Sequence, residues 1–384
     1  FVQHLNIEYM KGYAKPLNEF ICGQQIQFVI PVYQRNYDWL QDNCDQLLSD
    51  LVKLIHSGRT SHFFGSIVTS VAGTGFSRLV IDGQQRLTTI SLLLLAGIKA
   101  VNDGLLEISN ESRKDEAYDL FLNAKYCNSE RKIKLVPIEN DRIAYDKIFN
   151  GEDELDEDSK ITRNFRHFYD KLTRKPQQLT FDNLLDAVEH LQIISIELDA
   201  DDDAQLIFES LNSTGLALTE ADKIRNYLLM SLTAEEQQLC FKNYWQKIES
   251  ATENNPTKFL RDYLTIKQQL QRPVRLSNIY FEWKKYMDGR DRKQEMVEML
   301  DYARYYQQVT EAQMETSKLS AKMRHICNIE SDVTNVFFIQ FLKYAATNNL
   351  SYDEIDKVID VVENYLARRI ICNMPGNALT QVFC

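Results

Sequence analysis

RLVIDGQQRLTTI, residues 78–90, decides the fold of this chain, and an almost unbroken apolar run follows it to Ile98. The apolar residues before Asp82 predict a buried strand, and the run after Gly83 predicts a deeply buried helix. Asp-Gly between them predicts a tight turn, because glycine adopts backbone angles that a side chain forbids. The first hundred residues are therefore predicted to form a small α/β unit with a mixed or antiparallel sheet.

The first turn of the predicted helix is polar, in contrast to the rest of it. It carries Gln84, Gln85, Arg86, Thr88 and Thr89. Backbone N–H groups at a helix N-terminus lack partners and the helix dipole favours anions there, so phosphate is the natural ligand to expect. From spacing alone, a tight turn with ordinary helix capping is an equally good interpretation.

The remaining pattern predicts an α+β chain with a large all-helical region at its C-terminal side. Further strands are expected at residues 27–31, 63–71, 133–136 and 192–198, the last returning to the first sheet. The predicted domains are an α/β unit at 1–110, a helical insertion with the returning strand and two helices at 111–232, and an all-helical domain at 233–384.

A second polar cluster lies just after the strand predicted at residues 27–31. Gln34 and Arg35 precede Tyr37 and Trp39. An arginine offers a bidentate contact to phosphate, and aromatic rings can stack on a base. In the plainer interpretation Arg35 pairs with Asp38 and the rings fill the edge of the core.

A third cluster spans two predicted helices separated by a glycine-containing corner. Gln205, Glu209 and Asn212 share a face of the first helix. Asp222, Arg225 and Asn226 share a face of the second. Two polar faces that meet at a corner predict the wall of a pocket. Salt bridges between the two helices are the alternative.

Composition limits the function classes. Seven scattered cysteines without a C-x-x-C pair argue against a disulfide framework or a zinc site and favour a reducing cytoplasm. No apolar stretch reaches membrane-spanning length. A net charge of −11 argues against a protein that binds nucleic acid over its whole surface, because such proteins are usually basic. Local basic grooves with aromatic residues remain candidates at 163–175, 258–275 and 284–293, although solvated helix faces explain such clusters equally simply.

Four segments, in order, resemble the N-terminal domain of GmrSD-type, modification-dependent (type IV) restriction proteins and related phage-defence proteins. They are IPVYQRNYDW at 30–39, FGSIV at 64–68, IDGQQRLTT at 81–89, and FESLN at 208–212 with DKIRN at 222–226. The resemblance covers about residues 15–232. It implies an N-terminal fold similar to the ParB/sulfiredoxin superfamily.

The resemblance also implies a nucleotide site. In such proteins the DGQQR segment is tied to nucleotide binding and hydrolysis, which couples recognition of modified foreign DNA to its cleavage. Carried over, this implies catalytic roles for Asp82, Gln84, Gln85 and Arg86, a nucleoside triphosphate as ligand, and Mg²⁺ at Asp82. The nucleotide-binding residues expected beside them are Gln34, Arg35, Gly83, Thr88, Thr89, Asn212 and Arg225.

Family members often continue into an HNH-type nuclease domain, and nothing in this sequence matches that domain. The expected function is therefore a Mg²⁺-dependent, nucleotide-hydrolysing sensor module of a restriction system. Its expected partners are DNA, modified or not, and a nuclease domain or subunit, with a homodimer left open. The alternatives are a ParB-like nickase that acts at the DGQQR segment and a non-catalytic scaffold that binds DNA or protein.

Overall fold

The chain divides into two compact units, Phe1–Gly215 and Leu216–Cys384, which we call the first and second units. A computed structural model describes residues 12–57, 59–72, 76–127, 129, 132–174, 179–199, 202, 204–211, 218–329, 332–374 and 379–384. The first unit contains a sheet with helices, and the described part of the second unit is helical. The predicted α+β class is confirmed.

The first unit is built on a six-stranded mixed sheet in the order β1-β6-β3-β4-β2-β5. Its strands are β1 (Gly12–Pro16), β2 (Gln27–Val29), β3 (His62–Ala72), β4 (Ser77–Asp82), β5 (Leu135–Val136) and β6 (Leu191–Leu198). β1 pairs antiparallel with β6, and β3 with β4, whereas the other neighbours are parallel. The strand predicted at 192–198 does return to the first sheet, where it lies between β1 and β3.

Helices surround this sheet in the first unit. They are α1 (Leu17–Ile21), α2 (Gln41–Ser57), α3 (Gln84–Asn102), α4 (Ser112–Ala117), α5 (Glu139–Phe149), α6 (Lys160–Thr173), α7 (Phe181–Glu189) and α8 (Ala204–Leu211). Fifteen of the 19 residues of α3 are buried, as expected of a helix that is apolar on all sides. Gly97 of α3 lets the ring of Phe181 approach, because a Cβ there would lie 3.0 Å from it. α3 is the central helix of the core.

The described part of the second unit consists of helices and their connections. The helices are α9 (Glu220–Leu229), α10 (Ala234–Cys240), α11 (Gln246–Ala251), α12 (Pro256–Lys267), α13 (Ile279–Tyr286), α14 (Arg292–Thr310), α15 (Ser317–Asn328), α16 (Val333–Thr347), α17 (Tyr352–Ile371) and α18 (Leu379–Phe383). Thr219 and Thr233 begin two of them with capping boxes. Among the described residues, no helix is long and apolar enough to cross a membrane.

Candidate functional site

The predicted strand–glycine–helix element is present and leaves no room for a side chain at the glycine. β4 ends at Asp82, and α3 begins at Gln84. Gly83 between them has φ 97° and ψ 5°, in the left-handed region. A Cβ on Gly83 would lie 3.0 Å from Ile67 Cγ1 and 3.2 Å from Ile67 Cα in β3. Conformation and space therefore both require glycine.

Glutamine side chains join this turn to residues 34–39, which we call the Arg35 loop. Gln34 is buried, and its Nε2 donates a hydrogen bond of 2.7 Å to the main-chain oxygen of Ile81. In the opposite direction, Gln84 Nε2 donates to the main-chain oxygen of Arg35 at 3.2 Å. The structure thus brings the first two predicted clusters together.

Gln85 holds the other half of the Arg35 loop. Its Oε1 accepts hydrogen bonds from the main-chain N–H groups of Asp38, at 2.8 Å, and Trp39, at 3.2 Å. Its Nε2 donates to the main-chain oxygen of Asn36 at 3.3 Å. Because a buried amide that is this fully paired fixes its partners, Gln85 determines the course of the loop.

The helical insertion holds the Arg35 loop from its other side. In α5, Asp141 Oδ2 accepts a 2.6 Å hydrogen bond from the main-chain N–H of Tyr37. At the start of α6, Lys160 pairs with the carboxylate of Asp38. Sequence reasoning missed both contacts, since neither residue belongs to a motif and the contacts span more than 100 residues of chain.

The two threonines of the motif lie in the core. Thr88 and Thr89 are buried, and Thr89 Oγ1 donates to the main-chain oxygen of Gln85 at 2.7 Å. The hydroxyls of Tyr37 and Thr89 are 2.7 Å apart, and Asn164 Nδ2 of α6 donates to Tyr37 Oη at 3.0 Å. A hydrogen-bonded chain therefore runs from α6 through Tyr37 to the first turn of α3.

Three charged side chains meet beside this turn, and we call Asp82, Arg35 and Arg86 the charged cluster. Arg86 Nη1 lies 3.8 Å from Asp82 Oδ2. Their side chains are 21% exposed for Asp82, 27% for Arg86 and 17% for Arg35. Burial raises the pKa of the Asp82 carboxyl, whereas the nearby charges of Arg86 and Arg35 act to lower it. Arg35 Nη1 also lies 3.6 Å from Asp38 Oδ2, which is the pairing that the plainer interpretation of the sequence predicted. The cluster is thus partly exposed, and both of its arginines are already close to a carboxylate.

Gly65 of β3 holds the Arg86 guanidinium in place. Gly65 has φ +120°, and a Cβ on it would lie 2.6 Å from Arg86 Nε and 2.8 Å from Arg86 Cζ. The guanidinium therefore lies directly over the Gly65 backbone, and its Nη1 donates to the main-chain oxygen of Ser66 at 3.2 Å. The sequence contained Gly65 in one of the resembling segments without indicating this role.

The third predicted cluster is divided between the two units. Arg225 is buried in the second unit, where its guanidinium bonds Asp222 at 2.8 Å and Glu249 at 2.9 Å. Gln205 Nε2 bonds Glu209 Oε1 within α8 of the first unit. Asn212 lies outside the described residues. A role of Asn212 or Arg225 in nucleotide binding stays a prediction.

Within the described residues, no group of three or more His, Cys, Asp or Glu side chains is arranged to hold a metal ion. Mg²⁺ is commonly held by only one or two carboxylates, with phosphate oxygens and waters as its other ligands. Asp82 fits that role as a single partly buried carboxylate. The donor set is therefore compatible with a metal that arrives together with a phosphate ligand.

A separate cavity of about 420 Å³ lies toward the C-terminal end of α3. Leu95, Lys99 and Tyr169 line it, and no member of the charged cluster does. Since a helix rises about 1.5 Å per residue, that end of α3 is roughly 27 Å from Gln84. The cavity and the charged cluster are distinct features of the first unit.

A mixed sheet, a glycine turn into a buried helix and a charged cluster at that turn define an α+β domain that is followed by a helical unit. Residues 17–229 match the family model of the GmrSD restriction endonuclease, N-terminal domain. The match covers more than half of the chain, so the chain belongs to this family and has a role in a restriction system. No curated protein matches the chain.

Proposed function

We propose that this chain is a nucleotide-binding and nucleotide-hydrolysing sensor module of its restriction system. The observation that carries the proposal is the charged cluster at the N-terminus of α3. Arg86 Nη1 lies 3.8 Å from Asp82 Oδ2, and the charges of Arg86 and Arg35 both act to lower the pKa of Asp82. Two guanidinium groups beside a helix N-terminus favour a ligand that carries several negative charges, such as a triphosphate.

In this proposal Arg35 and Arg86 bind phosphate oxygens, because guanidinium groups donate paired hydrogen bonds to phosphate. Asp82 is the group that takes a proton from the attacking water or holds the metal. Its raised pKa suits a general base, since a base is most effective when its pKa lies near the working pH. When bound, Mg²⁺ would neutralise phosphate charge and acidify a coordinated water.

The glutamines and threonines of the motif act as positioning residues in this proposal. Gln84 and Gln85 already donate to the main-chain oxygens of Arg35 and Asn36. Thr89 is engaged in the core. These side chains therefore act on the ligand indirectly: they hold the Arg35 loop and the first turn of α3 in the positions from which Arg35 and Arg86 reach the phosphates. The state of the nucleotide would then be relayed to a nuclease domain or subunit that acts on DNA.

The test is a thermal-shift titration of the full chain with the four common nucleoside triphosphates, each with Mg²⁺. A ligand that binds only the folded state adds about 2.7 kcal/mol to the free energy of unfolding when its free concentration is a hundredfold above its Kd. We expect at least one triphosphate to raise the melting temperature and to be hydrolysed slowly. Arg86→Ala and Asp82→Ala should abolish hydrolysis.

Arg174→Ala is the matched control, because Arg174 is an exposed arginine of the same unit whose side chain pairs with Asp170 in the same helix turn. It should bind and hydrolyse the triphosphate as the wild type does. Wild-type turnover in both Arg86→Ala and Asp82→Ala would remove the site assignment. Nicking of supercoiled plasmid that needs no nucleotide and is lost in Asp82→Ala would favour the nickase instead.

A further inference from the structure

A second basic surface lies in the second unit, around α13. Between Lys267 and Lys293 the chain carries eight Lys and Arg residues and only three Asp and Glu residues, whereas the whole chain has a net charge of −11. This segment contains part of the basic stretch at 258–275 and all of the one at 284–293. Its charge is therefore opposite in sign to that of the molecule as a whole.

The helix α13 presents part of this basic segment to solvent. Ile279, Trp283 and Tyr286 are buried, so the opposite side of the short helix faces solvent. Phe281 on that side is 61% exposed, and Lys284 and Lys285 are exposed beside it. Single exposed apolar side chains are common, so the feature that distinguishes this position is the combination of an exposed ring with neighbouring cations.

The turn before α13 extends the same surface. Leu276 begins a 3₁₀ turn at Leu276–Asn278 and is 46% exposed. Arg272 and Arg275 are exposed immediately before it. No ion pair joins either of these arginines to another residue that the structure describes. We call these six residues the α13 surface: Arg272, Arg275, Leu276, Phe281, Lys284 and Lys285.

Two lysines of the α13 surface lie over aromatic rings. Lys285 Nζ is 4.1 Å from the centroid of the Phe281 ring, and Lys284 Nζ is 5.7 Å from that of Tyr280. Lys285 also pairs with Glu282 at 3.1 Å. The first of these contacts holds the Lys285 ammonium group against the exposed Phe281 ring, so a cation and an aromatic ring are presented together.

We propose that the α13 surface binds DNA with an accessible, unpaired base. Cationic side chains that flank an exposed aromatic ring are the combination by which proteins bind single strands: phosphates contact the cations and a base stacks on the ring. A membrane-binding helix needs a long apolar face, and α13 has only eight residues. The choice of DNA over other polyanions rests on the proposed function.

The test measures anisotropy of a labelled single-stranded DNA of about 20 nucleotides, titrated with the full chain without any nucleotide. Lys284→Ala/Lys285→Ala should weaken binding about tenfold or more at low salt and reduce the slope of log K against log salt by about 1.4. Phe281→Ala should weaken it about five- to 150-fold, and Phe281→Tyr should restore it. Melting temperatures of the variants should stay near that of the wild type, because all three side chains are exposed.

The matched control is Lys247→Ala/Lys357→Ala, which removes two exposed lysines of the same unit outside the α13 surface. It should bind as the wild type does, and an equal loss in this control would overturn the proposal. So would stronger binding of the same sequence as RNA, or binding only to anionic phosphatidylserine vesicles. DNA binding without any triphosphate binding would contradict the proposed function alone, and the reverse result would contradict this inference alone.

Discussion

At the scale of single residues, Gly65 is as important to the charged cluster as the charged groups themselves. The Arg86 guanidinium occupies the space that a side chain at position 65 would need. We therefore expect Gly65→Ala to displace Arg86 and to strain a backbone with φ +120°. Unfolding in urea should show that the free energy of unfolding falls by about 1–3 kcal/mol relative to the wild type. Thermal-shift titration should show weaker triphosphate binding.

Gly104→Ala separates backbone strain from displacement of Arg86. Gly104 has φ +70°, yet a Cβ on it would meet no atom within 4 Å. This variant should lose about 1 kcal/mol from strain and bind the triphosphate as tightly as the wild type. If Gly65→Ala behaved in the same way as Gly104→Ala, the contact between Gly65 and Arg86 would not matter to the site.

The same residues show how far sequence alone predicts the site. The turn at Asp82-Gly83 was predictable, because strand, glycine and helix are adjacent in sequence and their signals are local. The predicted neighbourhood of Arg35 and Arg86 is also what the structure shows. The direction of each amide was not predictable: Gln85 bonds to Asp38 and Trp39, 47 and 46 residues away, and only tertiary packing decides this.

At the scale of elements, the Arg35 loop is held between α3 and the helical insertion. Gln85 supplies the acceptor for two of its main-chain N–H groups. We expect Gln85→Leu to leave both N–H groups unpaired, at a cost of about 1–3 kcal/mol each. Unfolding in urea measures that cost, and triphosphate binding should weaken because Arg35 loses its support.

Gln46→Leu is the comparison for this prediction. Gln46 is exposed and its side chain donates to Asp50, so its replacement by leucine should change stability by less than about 0.5 kcal/mol. A cost of Gln85→Leu no larger than that of Gln46→Leu would show that the loop does not depend on α3.

Asp141 of α5 makes the same loop sensitive to pH. Burial raises its pKa from 3.8 to about 6, against the opposing effects of the Tyr37 N–H and the Lys160 charge. Between these two pH values the folded state binds the proton and the unfolded state does not, so the free energy of unfolding falls as the pH rises. A shift of this size corresponds to at most about 3 kcal/mol.

Asp141→Asn isolates this contribution, because an amide oxygen can still accept from the Tyr37 N–H and does not titrate. The stability of the wild type relative to Asp141→Asn should fall as the pH rises from about 4 to about 6 and then level off. The comparison is needed because burial also raises the pKa of Asp262 to about 6. A difference that is flat across this range would mean that Asp141 is ionised in the folded protein.

The elements themselves were predicted unevenly. Alternation and flanking turns correctly indicated β2, β3, β4 and β6, and the apolar run indicated α3. The strand β1 was not predicted, because its residues Gly12–Pro16 include both a glycine and a proline and gain strand structure only by pairing with β6. The π-helical turns at Tyr118–Leu122 and Phe241–Trp245 likewise have no local signal.

At the scale of the whole molecule, the two units have separate compact cores, and the charged cluster belongs to the first. Leu93 of α3 and Leu264 of α12 are each fully buried, one in each unit. We expect two cooperative unfolding transitions in calorimetry, since each unit has its own core. Leu93→Ala should lower the temperature of one transition, and Leu264→Ala should lower that of the other. Each substitution should reduce the free energy of unfolding of its unit by about 2–5 kcal/mol.

The triphosphate then reports which unit holds the site. Because a ligand stabilises only the unit that binds it, Mg²⁺ with the triphosphate should raise the transition that Leu93→Ala lowers and leave the other unchanged. Adding single-stranded DNA instead should raise the transition that Leu264→Ala lowers, because the α13 surface belongs to the second unit. One transition that responds to both substitutions and to both ligands would mean that the units unfold as one, which would contradict the expectation of separate cores.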